Sequence, residues 1–364
     1  MRQASVSLLV VLLAFGCQKA EQKTESKREG GDASGASKVE AIDPDLAQAV
    51  AAASVAGPRG SGAAPMQQVE GGPPPDGVFA PGAADKELPR GGMPKVTLGG
   101  EGAEPRVKLG PGKAPAKLSG TIQLAIQTDP RQGAIPVLLG VSIEPKKLDG
   151  AGDGMVVSQP VLARITSAKI DAPSVPKDID DKLGKLKGSK VEYSLLPGGA
   201  GAGFRYDATK AAPEEFRDVV RSLSEALSLL TIPYPDKPLG AGGYFMVTSR
   251  DDVSGLDLLT YRLIKVKQVT EQGATLEVNT KRYAASRTFD LQGLPEGIDK
   301  TVSQFQSTSE GTVELAVGAL LPGKGEINSV LAAELGPAAL PGTPPGKQPH
   351  AVLQFQTRTQ LDLK

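Results

Sequence analysis

The sequence is poor in the residues that catalytic and metal sites use most. Among its 364 residues it has no tryptophan, one histidine, His350, and one cysteine, Cys17. A lone imidazole cannot supply the paired ligands of a metal site, and as a base it would still need a nucleophile and an orienting partner. His350 lies between a proline and a predicted strand, so we expect it in an exposed loop. We therefore expect no metal site and no cofactor.

Charge and aromatic content argue against nucleic-acid binding. Lysine plus arginine equals aspartate plus glutamate at 41 residues each, so the chain has no net charge that would attract a polyanion. Aromatic side chains make up 4% of the residues, which leaves few rings on which bases could stack. We expect no nucleic-acid partner.

The known hydrolase patterns are mostly missing. The chain has neither a Gly-x-Ser-x-Gly turn nor a helix with paired histidines. Ser174 and Lys177 have the serine–lysine spacing of penicillin-recognising enzymes. That chemistry needs the serine at the start of a helix, whereas Pro173 and Pro176 predict a loop. We predict that the protein is not an enzyme, with a hydrolase of atypical site as an alternative.

Residues 1–16 have the outline of a secretory signal peptide. One charge, Arg2, precedes an apolar run from Val6 to Phe15, which is shorter than the roughly 20 residues that span a bilayer. Residues 13–17 (LAFGC) resemble the lipobox of bacterial lipoproteins, which implies cleavage before Cys17 and acylation of that cysteine, for example by palmitate. The alternative is a signal peptide cut elsewhere, or a buried free thiol at Cys17.

The residue after the cysteine bears on location. The resemblance to lipoproteins of Gram-negative bacteria implies sorting to the outer membrane, because Gln18 stands where inner-membrane retention usually needs Asp. Acyl chains on Cys17 would anchor the protein stably, since each buried CH₂ group contributes about 0.8 kcal/mol. We predict a lipid-anchored protein of the cell envelope that faces the periplasm, with the membrane as its partner through Cys17.

Residues 17–100 predict a disordered tether. This stretch is rich in Gly, Ala, Pro, Lys and Glu and has almost no aromatic side chains. Such a segment cannot bury enough apolar surface to offset the entropy of ordering. We place the start of the folded domain at residue 101.

The domain at 101–364 predicts mostly antiparallel β-structure. Apolar and polar side chains alternate from Leu118 onward, and proline, aspartate and glycine turns separate the segments. Further strands are predicted at 136–143, 155–170, 190–196, 244–249, 258–269, 274–283, 311–319, 326–331 and 350–363. So many alternating strands favour an α+β fold in which one large curved sheet, or half-barrel, surrounds a central helix.

Residues 213–230 predict that helix, and it is amphipathic. Pro213 fits its first turn, and prolines at 233, 235 and 238 prevent its continuation. If the sheet enclosed a cavity, as in lipid-carrier half-barrels, one group of apolar side chains would face the ligand: Phe216, Val220, Leu223, Leu227 and Tyr244. A packed core would use the same residues, and it is the preferred interpretation.

Two motifs resemble a family of uncharacterised bacterial lipoproteins, a group defined by a domain of unknown function. The first is residues 102–109 (GAEPRVKL), and the second is residues 234–244 (YPDKPLGAGGY). The second is similar to a proline-x-x-proline-valine-glycine-x-glycine-x-x-tryptophan pattern, with Tyr244 at the tryptophan position. The resemblance implies a shared fold and an envelope location, but no activity.

These features lead to one functional expectation with two alternatives. We expect a membrane-anchored periplasmic lipoprotein whose domain is a non-catalytic binding or structural module, with a hydrophobic ligand or an envelope protein as partner. One alternative is a carrier of lipid or another hydrophobic ligand in a half-barrel cavity. The other is the hydrolase described above.

Overall fold

The alternating segments build one wide antiparallel sheet. The computed structural model describes residues 74–112, 116–127, 134–146, 158–172, 175–196, 198–253, 256–288, 301–336 and 351–364. Within these ranges, twelve strands form a sheet in the order β1-β9-β10-β11-β12-β13-β14-β3-β4-β5-β6-β7, and β2 pairs with β8. The prediction of a large, mostly antiparallel sheet is confirmed. Cys17, Ser174 and His350 lie outside the described residues.

The strands have the following bounds: β1 Lys95–Gly100, β2 Arg106–Val107, β3 Leu118–Gln127, β4 Ile135–Pro145, β5 Gln159–Ile170, β6 Lys190–Leu195, β7 Gly201–Asp207, β8 Leu239–Gly240, β9 Tyr244–Val253, β10 Leu256–Thr270, β11 Gly273–Ala284, β12 Val302–Ala316, β13 Lys324–Leu335 and β14 Ala351–Leu363. Strand β12 begins nine residues before the predicted start at 311. Strand β7 is not among the predicted strands; it begins in the glycine-rich stretch at 199–203, because glycine also fits an extended strand.

The predicted central helix is observed with a small change at its start. Glu214–Phe216 form a single 3₁₀ turn, and α3 then runs over Arg217–Leu230. Two shorter helices were not predicted: α1, Ala83–Glu87, and α2, Lys177–Gly184. The segment of α2 was expected to be a loop; it is helical because Leu183 is fully buried in the main core. Among the described residues, no helix combines the length and apolar character that a bilayer crossing needs.

The sheet curls around α3. This helix packs against β6 and β7 at one end of the sheet and also accepts hydrogen bonds from Arg262 of β10, near the other end. Strands in those positions of a flat sheet would be about 38 Å apart, at about 4.8 Å per strand, whereas this helix of 14 residues is only about 21 Å long and about 10–12 Å wide. Only a strongly curved sheet allows both contacts. It is not closed, because β1 and β7 are the edges of the described sheet.

Glycines allow the close strand approach that this curvature needs. Gly325 in β13 has φ +140°, and a Cβ there would overlap the carbonyl oxygen of Thr312 on β12. A Cβ on Gly120 in β3 would likewise overlap the carbonyl oxygen of Asp362 on β14. Glycines inside strands typically mark such close approaches and tight bends.

The predicted boundary at residue 100 is wrong, because residues 74–100 belong to the fold. Val78 forms a parallel bridge with Ala284 at the end of β11. The N–H of Phe305, at the start of β12, donates to the carbonyl oxygen of Asp76 at 2.9 Å. The Asp76 carboxylate also accepts a 2.7 Å hydrogen bond from Arg287. Residues 76–79 are therefore a wedge between β11 and β12.

The chain after the wedge crosses the outer face of the sheet. Phe79, Ala84 and Leu88 pack on Leu259 and Tyr283 in a separate apolar cluster. The side chain of Arg250 forms a bidentate pair with Asp257 and also binds Asp85 in α1. Strand β1 then pairs with β9 as an edge strand. Composition did not reveal this segment, because its few apolar residues are buried by distant strands rather than by one another.

We predict that Gly77→Ala destabilises the domain strongly. Gly77 has φ +75°, and a Cβ there would overlap the carbonyl oxygen of Phe305, so the wedge would have to shift. Gly82 is the matched control, since it has φ +74° but nothing within 4 Å of an added Cβ. Urea unfolding should show a loss of about 1 kcal/mol for Gly82→Ala, from the left-handed backbone alone. The loss for Gly77→Ala should be at least about 2 kcal/mol larger. Equal losses would mean that residues 76–79 do not hold the sheet together.

Candidate functional site

The concave face of the sheet holds the candidate ligand-facing residues of the helix. Phe216, Val220, Leu223 and Leu227 are all buried, the last three completely. They share one apolar cluster with Phe245 and Ile264 from one end of the sheet and Val191 from the other. The structure brings these four residues together in a packed core rather than around an open space.

Tyr244 does not belong to this group. It is half-buried and lies against Gly99 and Gly100 of β1, where a side chain on Gly99 would overlap its ring. Phe245, the next residue of β9, is fully buried and faces the helix side, with its ring 6.3 Å from that of Tyr234. The prediction for Tyr244 is wrong because side chains alternate along a strand, and Phe245 takes the inward position.

The two segments that carry the family resemblance contact each other. Strand β2, in the first motif, pairs with β8, in the second. The N–H of Gly240 donates to the carbonyl oxygen of Glu101 at 2.8 Å, and the N–H of Ala103 donates to that of Ala241 at 2.9 Å. A Cβ on Gly240 would overlap the carbonyl oxygen of Ala103. These contacts give both motifs a structural role at the entry to β9.

A buried polar belt crosses the concave face and is the main candidate site. Its members form two adjacent rows across β9 to β12. The first row pairs Ser249, Thr260, Arg282 and Ser307, and the second pairs Arg262, Thr280 and Ser309. Every one of these side chains is less than 9% exposed. Apolar rows flank the belt on both sides, with Ile264 and Val278 in the main cluster and Leu258 and Ala284 in a second one.

Arg262 joins the belt to the end of the helix. Its Nη1 donates to the carbonyl oxygen of Thr231 at 3.0 Å, and its Nη2 donates to that of Ser228 at 3.2 Å. These carbonyls belong to the last turn of α3, where a cation is favourable for the helix dipole. Burial lowers the pKa of Arg262, and the Asp251 carboxylate, 3.9 Å away, opposes that shift.

Arg282 is a diagonal neighbour of Arg262, and its charge is less well stabilised. Its Nε finds no hydrogen-bond partner among the described residues. Burial lowers the pKa of Arg282, and the positive charge of Arg262 lowers it further. Asp251 and Glu225 of α3 act in the opposite direction through their charges. Two like charges buried side by side are unfavourable unless something else compensates them.

The belt could have been found from the sequence. Along β10, the inward positions are Leu256, Leu258, Thr260, Arg262, Ile264 and Val266. The polar pair therefore interrupts an apolar series at two inward positions, and β11 has the same interruption at Thr280 and Arg282. The alternation predicts both strands, and the polar side chains at these inward positions are the signal for the belt.

A second candidate is a shallow groove of about 430 Å³ on the opposite, outer face. It is lined by Thr121, Gln123, Leu138, Glu326, Gln360 and Asp362, among others. The Glu326 carboxylate accepts hydrogen bonds from Arg358 at 2.6 Å and Gln360 at 2.9 Å, and these bonds lower its pKa. Its polar groups thus bind one another, so the groove resembles an ordinary solvated face.

The structure does not test the hydrolase alternative. Lys177 opens α2, while its serine partner lies outside the described residues, so the hydrolase alternative stays a prediction. The described part of the chain contains no group of three or more His, Cys, Asp and Glu side chains that could hold a metal ion.

Comparison with known proteins adds no family. No protein-family model matches the chain, and no curated protein matches it significantly. The resemblance to uncharacterised lipoproteins therefore stays a prediction, and the functional proposals rest on the residues themselves.

We predict that Leu223→Ala costs about 2–5 kcal/mol, as expected for a leucine truncated inside a packed core. Leu223 is fully buried in the main cluster. Val330→Ala is the control, because Val330 is 40% exposed and should change stability by less than about 0.5 kcal/mol. Urea unfolding measures both. A cost below about 1 kcal/mol for Leu223→Ala would show that this side chain borders empty space.

We also predict that Arg262→Ala destabilises the domain by about 2–4 kcal/mol, because the Thr231 carbonyl loses its side-chain donor and the Ser228 carbonyl keeps only its bond from Thr231 Oγ1. The control is Arg358→Ala, which removes a half-exposed arginine paired with Glu326 and should cost less than about 1 kcal/mol. Thermal or urea unfolding measures the difference. Similar losses in both variants would contradict the role of Arg262 in holding α3 to β10.

Proposed function

We propose that this protein is a lipoprotein of the bacterial cell envelope, anchored through acylated Cys17, whose curved β-domain is a non-catalytic binding module. The lipobox at residues 13–17 and Gln18 support an outer-membrane anchor facing the periplasm. Acylation of Cys17 also accounts for the position of the single cysteine, directly after the apolar run.

The binding part of the proposal rests chiefly on the polar belt. Seven buried polar side chains, two of them arginines, occupy inward positions that apolar residues fill on either side. Burying such groups is expensive, and replacing them with apolar residues of similar size would often stabilise a protein. Arg262 also holds the end of α3, but the presence of the other six on the concave face favours a role in binding over a role in packing.

The packed core argues against an acyl-chain carrier. A carrier needs an open apolar space of a few hundred cubic ångströms, and the predicted ligand-facing residues of α3 instead contact other core side chains. The binding module is thus preferred to the hydrophobic-ligand carrier, and it has a polar rather than an apolar surface at its centre.

We predict that Cys17→Ser abolishes anchoring. Expressed in a Gram-negative host fed labelled palmitate, the wild-type protein should carry the label and sediment with membranes. The variant lacks the thiol that is acylated, so it should lose the label and leave the membrane fraction. Gln18→Asp is the matched control: it should keep the label and move from the outer to the inner membrane. Palmitate on the Cys17→Ser protein would contradict the proposed anchor.

A further inference from the structure

The polar belt contains a concentrated set of unsatisfied groups. Five buried side-chain nitrogen or oxygen atoms have no hydrogen-bond partner among the described residues, and four of them belong to the belt. These four are Oγ1 of Thr260, Nε of Arg262, Nε of Arg282 and Oγ of Ser309. Buried polar groups are nearly always satisfied in native proteins, so such a cluster indicates a missing partner.

Strand register places the four groups close together. Thr260 is directly opposite Arg282, and Arg262 is directly opposite Thr280, whose other neighbour is Ser309. They therefore occupy two adjacent rows on three neighbouring strands and share one face of the sheet. Arg282 is directly opposite Thr260 and diagonal to both Arg262 and Ser309, at about 7–8 Å, so a small group beside Arg282 lies next to all three. Thr260 and Ser309 themselves are two strands apart, at least about 10 Å between their backbones.

The carboxylates near the belt do not supply the missing partner. Asp251 Oδ2 is 3.9 Å from Nη2 of Arg262 and instead accepts a 2.9 Å hydrogen bond from Ser249. Glu225 acts on Arg282 through its charge, yet Nε of Arg282 has no hydrogen-bond partner among the described residues. Neither carboxylate provides an oxygen to the two Nε–H groups.

The chemistry of the four groups selects the kind of partner. A guanidinium only donates hydrogen bonds, and a serine or threonine hydroxyl can donate as well. A group that satisfies all of them at once must be rich in acceptors, and the two guanidinium charges favour an anion. Phosphate fits best, because its oxygens accept several charge-assisted hydrogen bonds from arginine, whereas a water molecule has two acceptor positions and no charge.

We propose that Arg262, Arg282, Thr260 and Ser309 form a binding site for a phosphate group, either free or in a phospholipid headgroup. This proposal rests on the proposed binding function and names the chemistry of its ligand. The partly exposed side chains nearest the belt are Asp251, which is 26% exposed, and Glu225 and Ser228 of α3, which are half-buried. Arg262 would then serve both the helix end, through its two Nη atoms, and the ligand, through Nε.

The experiment uses the full chain, purified in non-ionic detergent and phosphate-free buffer. Thermal unfolding and calorimetric titration are measured with inorganic phosphate, with sodium chloride at matched ionic strength as the reference for screening. The same measurements use detergent micelles containing phosphatidylglycerol or phosphatidylcholine. We expect the unfolding temperature to rise with phosphate concentration, as it does for any ligand that binds only the folded state.

Variants separate the site from the general charge of the protein. Arg282→Gln should weaken phosphate binding by about tenfold or more, since it removes a charged hydrogen-bond donor. Thr260→Val and Ser309→Ala, which keep the charge and nearly keep the volume, should weaken it by a smaller factor. Arg205→Gln removes an exposed arginine on β7 and should leave binding unchanged.

A second measurement distinguishes a ligand site from a structural cluster. If Arg282 is retained for binding, Arg282→Met in phosphate-free buffer should unfold at the same temperature as the wild type or higher, because a buried positive charge with an unsatisfied Nε has been removed. If Arg282 is structural, the variant should unfold at a lower temperature, and the proposal is wrong.

The measurements with lipid-containing micelles identify the source of the phosphate. Stabilisation by inorganic phosphate assigns a free phosphate, and stabilisation by phosphatidylglycerol alone assigns a headgroup. No shift with either, or an equal shift with sodium chloride, overturns the site. That failure is separate from a failure of anchoring, because palmitate labelling at Cys17 does not depend on the belt.

Discussion

The contact between α3 and both ends of the sheet is the constraint on which the rest of the structure depends. The helix packs on β6 and β7 through its apolar side, while Arg262 of β10 binds the carbonyls at its end. One apolar cluster therefore contains residues from strands that a flat sheet would separate widely. Without the helix, the concave face would expose Leu139, Phe245, Ile264 and their neighbours to water, at about 25 cal/mol for each Å².

The curvature of the sheet also shields the polar belt from water. On a flat sheet, Thr260, Arg262, Thr280 and Arg282 would be solvated, and their charges would have little effect. On the concave face they are shielded from water, which lowers the effective dielectric constant and makes each unsatisfied donor unfavourable. Burial of these donors lowers the stability of the domain. It also strengthens their attraction for a compact anion, because the effective dielectric constant is low. This is why the belt, rather than the solvated outer groove, is the stronger candidate site.

The N-terminal segment connects the sheet to the proposed anchor. Residues 76–79 fill the space between β11 and β12, and β1 covers the exposed edge of β9. The first described residues thus lie at the end of β11, close to the second apolar cluster and on the far side of the belt from α3. The proposed anchor at Cys17 would therefore be connected to the domain through residues 76–79.

The sequence by itself determined the strand-rich fold class and the central helix, because alternation and helical spacing are local patterns. The envelope address that the lipobox indicates stays a prediction. Phe216, Val220, Leu223 and Leu227 were identified as one face from their spacing alone. Only the tertiary structure decided that this face is packed, that Phe245 rather than Tyr244 faces it, and that residues 74–100 belong to the fold. It also brought Arg262, Arg282, Thr260 and Ser309 together. Those decisions depend on strand register and on curvature, which arise from contacts between residues far apart in the chain.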